Sequence, residues 1–202
     1  RQKLVKSLSM RKPLSDIERR KRRRRRRIPV IVMYTALAFA LAWFLESQAT
    51  TTVIFVRHAE KATLPADDPA LSPAGQRRAA ELKRQLVDAD VIAGVDAVYS
   101  TPFRRTEETA RPVAEALELP LNSYDAADTE LIMEQIVRDH KGQIILVVGH
   151  SNTIPALIGN MGASKRVPEI AENEYDNIYV VSIPWFGKTK TIRLRYGEPY
   201  IP

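Results

Sequence analysis

Three short segments hold most of the residues able to do polar chemistry. They are Arg57-His58-Ala59-Glu60, then Ser100-Thr101-Pro102-Phe103-Arg104-Arg105-Thr106 on to Ala110, then Gly149-His150-Ser151-Asn152-Thr153. Together they offer two histidines and two or three arginines. Guanidinium groups grip phosphate oxygens in a fork of charge-assisted hydrogen bonds. An unprotonated imidazole is a nucleophile toward phosphorus. Nearby arginines disfavour the protonated ring, and the same charges stabilise a phosphoryl group in transfer. A metal site would need a third ligand, and arginines are poor neighbours for a cation, so no metal is expected. The third histidine, His140, lies in a polar stretch (RDHKG) and is expected to be solvated. The chain has no cysteine, which excludes disulfides, thiolate metal sites and a cysteine nucleophile.

Each segment follows a predicted strand. Thr51–Val56 is a β-branched and aromatic run that ends at Arg57-His58. Asp96–Ser100 is a second short strand, and Gln143–Val148 (QIILVV) a third. Helices are predicted from an N-cap at Ser72 to about Ala89, from about Arg105 to Leu117, from Asp128 or Thr129 to about His140, and from about Thr153 to Met161. Leu121–Tyr124 is a candidate edge strand. Ile178–Ile183 and Thr189–Tyr196 read as a hairpin around Trp185-Phe186-Gly187. Strands alternating with helices predict an α/β fold: a three-layer α/β/α sandwich with a mostly parallel sheet. In such sheets the carboxyl ends of the strands form the ligand crevice, where all three segments would converge.

Charge is divided along the chain. Residues 1–50 hold 14 Lys/Arg against 3 Asp/Glu, a net of +11; the remaining 17 and 21 leave residues 51–202 at −4. The overall +7 therefore does not make the whole chain a nucleic-acid-binding domain, and no nucleic-acid partner is expected. Arg19–Arg27 reads RRKRRRRRR, and the 18 residues Ile28–Leu45 that follow carry no charge. As a helix they would extend about 27 Å, near the hydrocarbon thickness of a bilayer. Pro29 is expected in the first turn of that helix. The organisation read from this is a basic, largely disordered tail over 1–27, a transmembrane helix or signal-anchor over 28–46, and a catalytic domain over 47–202. The cationic flank predicts a cytoplasmic amino terminus with the domain periplasmic or extracellular. A secreted or periplasmic product, cleaved after Ala49 in Ser47-Gln48-Ala49, is the alternative.

The three segments, in this order and at strand ends, resemble the histidine phosphatase superfamily, the phosphoglycerate-mutase-like fold. That family carries an RHG or RHA signature after its first strand, a Ser-x-Pro-x-x-Arg-x-x-x-Thr-Ala signature after its second, and a Gly-His after a later one. The likeness spans residues 51 to about 196. It implies that His58 is the phosphorylated nucleophile, that Arg57 and Arg105 clamp phosphate, and that His150 is the second histidine on the phosphoryl oxygens. Ser151 and Asn152 are candidates to line the pocket or to cap the next helix. Arg104 stands where the family has an apolar residue. An acid between the second and third motifs should protonate the leaving oxygen. Asp125 is the first candidate; Asp128 and Glu130 are better placed as helix-start acids. The resemblance implies no cofactor and a phosphorylated small molecule or phosphoprotein as substrate. The stretch Lys61–Pro65 lacks the asparagine of the mutase pattern, so a phosphatase leads. A phosphoglycerate-type phosphomutase and a membrane-anchored, catalytically weak binder of phosphorylated ligands are the alternatives.

Overall fold

Alternate residues of the first strand face opposite ways, and here both faces are apolar. In the computed structural model Val53 and Phe55 enter one hydrophobic cluster, while Ile54 and Val56 enter another. A strand buried on both faces must lie inside a sheet covered on both sides. The structure describes residues 16–47, 50–88, 94–163, 167–185 and 187–201. It divides into two units, Arg1–Leu45 and Glu46–Pro202.

The second unit holds a six-stranded sheet. Its strands are β1 (Thr50–Arg57), β2 (Ala97–Ser100), β3 (Leu121–Ser123), β4 (Ile144–Gly149), β5 (Asn177–Pro184) and β6 (Lys190–Arg195), in the order β3-β2-β4-β1-β5-β6. The first four are parallel, and β5 and β6 join antiparallel, as the predicted hairpin requires. Four helices follow α1 of the first unit: α2 (Pro73–Leu86), α3 (Arg104–Ala116), α4 (Thr129–Asp139) and α5 (Ile154–Asn160). Leu82, Ala110 and Val113 of α2 and α3 join the cluster on one face of the sheet. Met133, Ile136, Ile154 and Leu157 of α4 and α5 join the cluster on the other. The three layers expected from the sequence are thus formed.

Local signals act as read. Ser72 caps α2 by accepting from Gly75 N–H at 3.1 Å, with Pro73 in the first turn. Asp128 caps α4 by accepting from Leu131 N–H at 3.0 Å. Helix α2 ends at Leu86, before the predicted Ala89, which lies outside the described residues. Lys83 and Arg84 in its last turn sit where the helix dipole favours cations. Gly75 presses on the Glu60 carbonyl oxygen, with which any Cβ at this position would collide. His140 departs from expectation. It is half-buried, with Nε2 2.8 Å from the Tyr99 hydroxyl and Nδ1 2.6 Å from Gln143 Oε1. Its ring closes the end of α4 over β2 instead of pointing into water.

Helix α1 (Asp16–Ser47) supplies the described residues of the first unit, and within it the 19 residues Arg27–Leu45 are long and apolar enough to cross a membrane. Its large apolar side chains are exposed all round, from Ile28 to Leu45. Thr35 keeps its hydroxyl on the Ile31 carbonyl at 2.8 Å. The helix begins well before the apolar run, so residues 16–27, read as part of a disordered tail, are helical, and Pro29 lies inside the helix. Arginine is among the better helix formers, which lets the basic run propagate the helix. Pro29 then removes one backbone hydrogen bond from the interior. Residues 1–15 and the candidate cleavage positions Gln48 and Ala49 lie outside the described residues, as does Phe186.

Candidate functional site

Strand register sets the site. Arg57 is level with Gly149 across β1 and β4, and Ser100 is level with Val148 across β2 and β4. The residues that follow each strand therefore emerge side by side from three adjacent parallel strands. His58 N–H continues the ladder onto the Gly149 carbonyl at 2.9 Å. The rings of His58 and His150 meet edge to face, centroids 5.4 Å apart. Gly149 has a steric reason to be glycine: a Cβ would lie 2.8 Å from the Tyr124 hydroxyl, which packs over the end of β4.

His58 is buried, at 4% exposure. Its Nδ1 is 2.8 Å from the Ala59 carbonyl oxygen, which can only accept, so Nδ1 carries the proton. Desolvation lowers its pKa to about 3; the bond to Ala59 opposes this, and the charges of Arg57, His150 and Arg105 reinforce it. The ring is neutral at physiological pH, and Nε2 keeps its lone pair.

His150 is held differently. Its Nε2 lies 2.9 Å from Thr101 Oγ1, which lies 2.8 Å from Thr106 Oγ1. Thr106 Oγ1 also approaches the carbonyl oxygens of Thr101 and Phe103. Those oxygens only accept, so Thr106 commits its one proton to them, Thr101 donates to Thr106, and His150 Nε2–H donates to Thr101. Burial lowers the pKa of His150 to about 4, with Arg105 and Arg57 adding to the effect. Thr101 and Thr106 of the second segment thus act on the third, fixing the tautomer of its histidine.

The arginines are anchored at their edges. Arg57 is 5% exposed, and its Nη1 donates to the carbonyls of Ala171 (2.7 Å) and Glu174 (3.1 Å) while the guanidinium lies 4.2 Å over the Tyr175 ring. Its Nε is buried without a partner. Burial lowers its pKa, which the negative charge of its surroundings partly offsets. Arg105 stacks on Phe103 at 4.4 Å and approaches Asp68 at 3.9 Å. Arg104 turns outward, half-exposed, and pairs with Glu108 at 3.5 Å along α3.

A cleft of about 570 Å³ opens over these groups. Arg57, His58, Arg105, His150, Ser151 and Asn152 all line it, as expected from the sequence. Ser151 and Asn152 line it and leave the cap position of α5 to Thr153. Asp125 is exposed, and its carboxylate accepts from Ala127 N–H at 2.8 Å. The residues of that turn on the cleft wall are Ala126 and Ala127. Asp128 and Glu130 serve the start of α4. Sequence reasoning missed six wall residues: Lys61, Phe103, Ala126, Ala127, Thr153 and Glu172. Phe103 was within reach, inside the second segment. Glu172 sits in a stretch before β5 without periodicity or motif, so nothing in the sequence marked it.

Residues 53–128 match the family model of the histidine phosphatase superfamily, branch 1. Solved structures give the same fold. The protein histidine phosphatase SixA, solved with tungstate, aligns with a TM-score of 0.57 and 19% identity, covering 71% of this chain and 96% of that one. A phosphoglycerate mutase from Plasmodium falciparum aligns at TM-score 0.52 and 17% identity, over 76% and 95% of the two chains. A phosphoserine phosphatase variant from Entamoeba histolytica, bound to phosphoserine, aligns at 0.51 and 15%, over 72% and 96%. Among curated proteins, no sequence relative matches the chain. The resemblance read from the three motifs stands, and the fold is phosphoglycerate-mutase-like, with one amino-terminal helix that could span a membrane.

Proposed function

We propose that this protein is a phosphomonoester hydrolase that works through a phosphohistidine on His58. The observation that carries the reading is a neutral His58 with Nε2 unengaged, beside the buried, partnerless Nε of Arg57. A phosphate dianion in the cleft would draw on the charge of both Arg57 and Arg105, which line it together. Charge from the two arginines is set where it develops during transfer, so little reorganisation is needed. Binding of the dianion also reverses the local charge and lets His150 hold a proton shared with a phosphoryl oxygen. Substrate phosphorus is attacked by His58 Nε2, the ester oxygen leaves, and water then cleaves the N–P bond. Ser151 and Asn152 offer polar contacts at the mouth, which suits a phosphorylated small molecule or an exposed phosphate of a protein. Residues 28–45 would tether the enzyme to a membrane, with its amino terminus cytoplasmic and the catalytic domain outside, as the arginine flank favours.

Phosphate release from an aryl phosphate should vanish in His58→Ala, and acid-labile label should be trapped on the wild-type protein. Unchanged turnover in that variant sinks the assignment. Protease digestion of the domain in intact cells reads its side of the membrane; protection from external protease would contradict the topology.

A further inference from the structure

Transfer of a phosphoryl group to His58 leaves an ester oxygen in need of a proton. The cleft wall carries a single acid among the described residues, Glu172. It sits in the turn Ala171–Glu174, which is closed by Glu174 N–H on the Ala171 carbonyl (3.0 Å) and by Ala171 N–H on Glu174 Oε2 (3.1 Å). The turn is fixed at both ends. Arg57 Nη1 donates to its Ala171 and Glu174 carbonyls, and Glu174 Oε1 pairs with Arg195 at 3.2 Å. Within this rigid frame the Glu172 side chain is exposed and makes no hydrogen bond or ion pair among the described residues. The contrast with Asp125 is direct, since that carboxylate is engaged in its own turn.

We propose that Glu172 is the general acid and base of this site. The assignment rests on the phosphohistidine reading above and deepens it. In the first step the His58 Nε2 lone pair forms the N–P bond, the P–O ester bond breaks toward oxygen, and the Glu172 carboxyl proton passes to that oxygen. In the second step a water loses a proton to the Glu172 carboxylate as its oxygen bonds to phosphorus, and the N–P electron pair returns to Nε2. An alcohol and inorganic phosphate leave, and both groups regain their starting states. Arg57 thereby works at two edges. One binds the phosphate, and the other holds the turn that carries the acid.

The test compares leaving groups in the full-length chain held in detergent micelles. Glu172→Gln keeps the shape of the side chain and removes its proton chemistry. On an alkyl ester such as glycerol phosphate, whose alkoxide cannot depart unprotonated, kcat/KM should fall by about 10²-fold or more. On para-nitrophenyl phosphate, whose leaving group departs as a stable anion, it should change by less than about threefold, with phosphohistidine still formed at the wild-type rate. Equal losses on both esters, or no loss on the alkyl ester, overturn the assignment. So does an alkyl-selective loss in Asp125→Asn with Glu172→Gln unaffected, which makes Asp125 the donor. A wild-type chain that turns over neither ester overturns the phosphatase reading itself, a result distinct from any of these.

Discussion

Two buried arginines in this domain have opposite fates. Arg78 of α2 is 8% exposed, and all three of its nitrogens are engaged: Nε and Nη2 on Glu60, Nη1 on the Tyr196 carbonyl at 3.0 Å, and Nη2 on the Glu198 carbonyl at 3.1 Å. Burial works to lower its pKa, but the Glu60 carboxylate outweighs burial and raises it. Arg57 is as deeply buried, faces no such carboxylate bond, and keeps an unpartnered Nε, with its pKa lowered. Arg78 binds the carboxyl-terminal residues to α2 and is complete without a ligand. Arg57 keeps one nitrogen without a partner. An unpaired buried donor costs roughly 1–3 kcal/mol, which the phosphate site proposed for Arg57 would offset.

Substitutions should separate the two. Arg57→Ala is expected to lower kcat/KM on an aryl phosphate by about 10²–10³-fold, and loss of its bonds to the Ala171 and Glu174 carbonyls should also cost about 1–3 kcal/mol of stability. A large loss of stability with normal activity per folded molecule would erase the distinction. Arg78→Met should cost stability alone. Breaking a partly buried pair, with Glu60 24% exposed, should cost about 2–3 kcal/mol in denaturant unfolding and leave kcat near wild type.

The neutral histidines sharpen the comparison through pH. His58 has its folded pKa lowered to about 3, against about 6.5 when unfolded. Above pH 6.5 neither state binds the proton, so the ring adds no pH dependence. Below it the unfolded chain gains a proton that the folded one refuses, and stability falls at about 1.4 kcal/mol per pH unit until the folded pKa is reached. The His58→Asn variant should therefore lose about 2 kcal/mol less than wild type between pH 6.5 and pH 5. Equal acid sensitivity would show that the ring is not held neutral. The smallest effect belongs to Arg104→Ala, which should shift stability by no more than about 0.5 kcal/mol and leave activity unchanged, because its side chain points away from the cleft.

Local order was legible to the extent that it is encoded locally. The double-faced apolar runs of β1 and β4 announced buried parallel strands, and Ser72-Pro73 and Asp128 announced helix starts. The convergence of Arg57, Arg105, His58 and His150 followed from a general property of parallel sheets together with three ordered motifs. What escaped depends on contacts made far along the chain. His140 reads as solvated because its neighbours are polar, yet the partner that draws it inward, Tyr99, is forty-one residues away. Glu172 reaches the cleft only because its turn docks on Arg57, 114 residues before Ala171. The helical arginine run escaped for another reason: its dense charge suggests disorder and masks the intrinsic helix propensity of arginine.

Strand β1 is hydrogen-bonded along its length on both sides, to β4 and to β5. Its amides can exchange with solvent only when the whole sheet opens, so they should report the global free energy of unfolding. His58 inherits that slow clock through its own N–H on Gly149. Glu172 and Asn173, by contrast, form the exposed tip of a turn braced at its two ends, and the amides of that tip can exchange through small local openings. In hydrogen–deuterium exchange the floor and the rim of one cleft should therefore differ by orders of magnitude in rate. The proposed nucleophile belongs to the slowest-exchanging part of the molecule, and the proposed acid to a solvent-open tip on a braced turn.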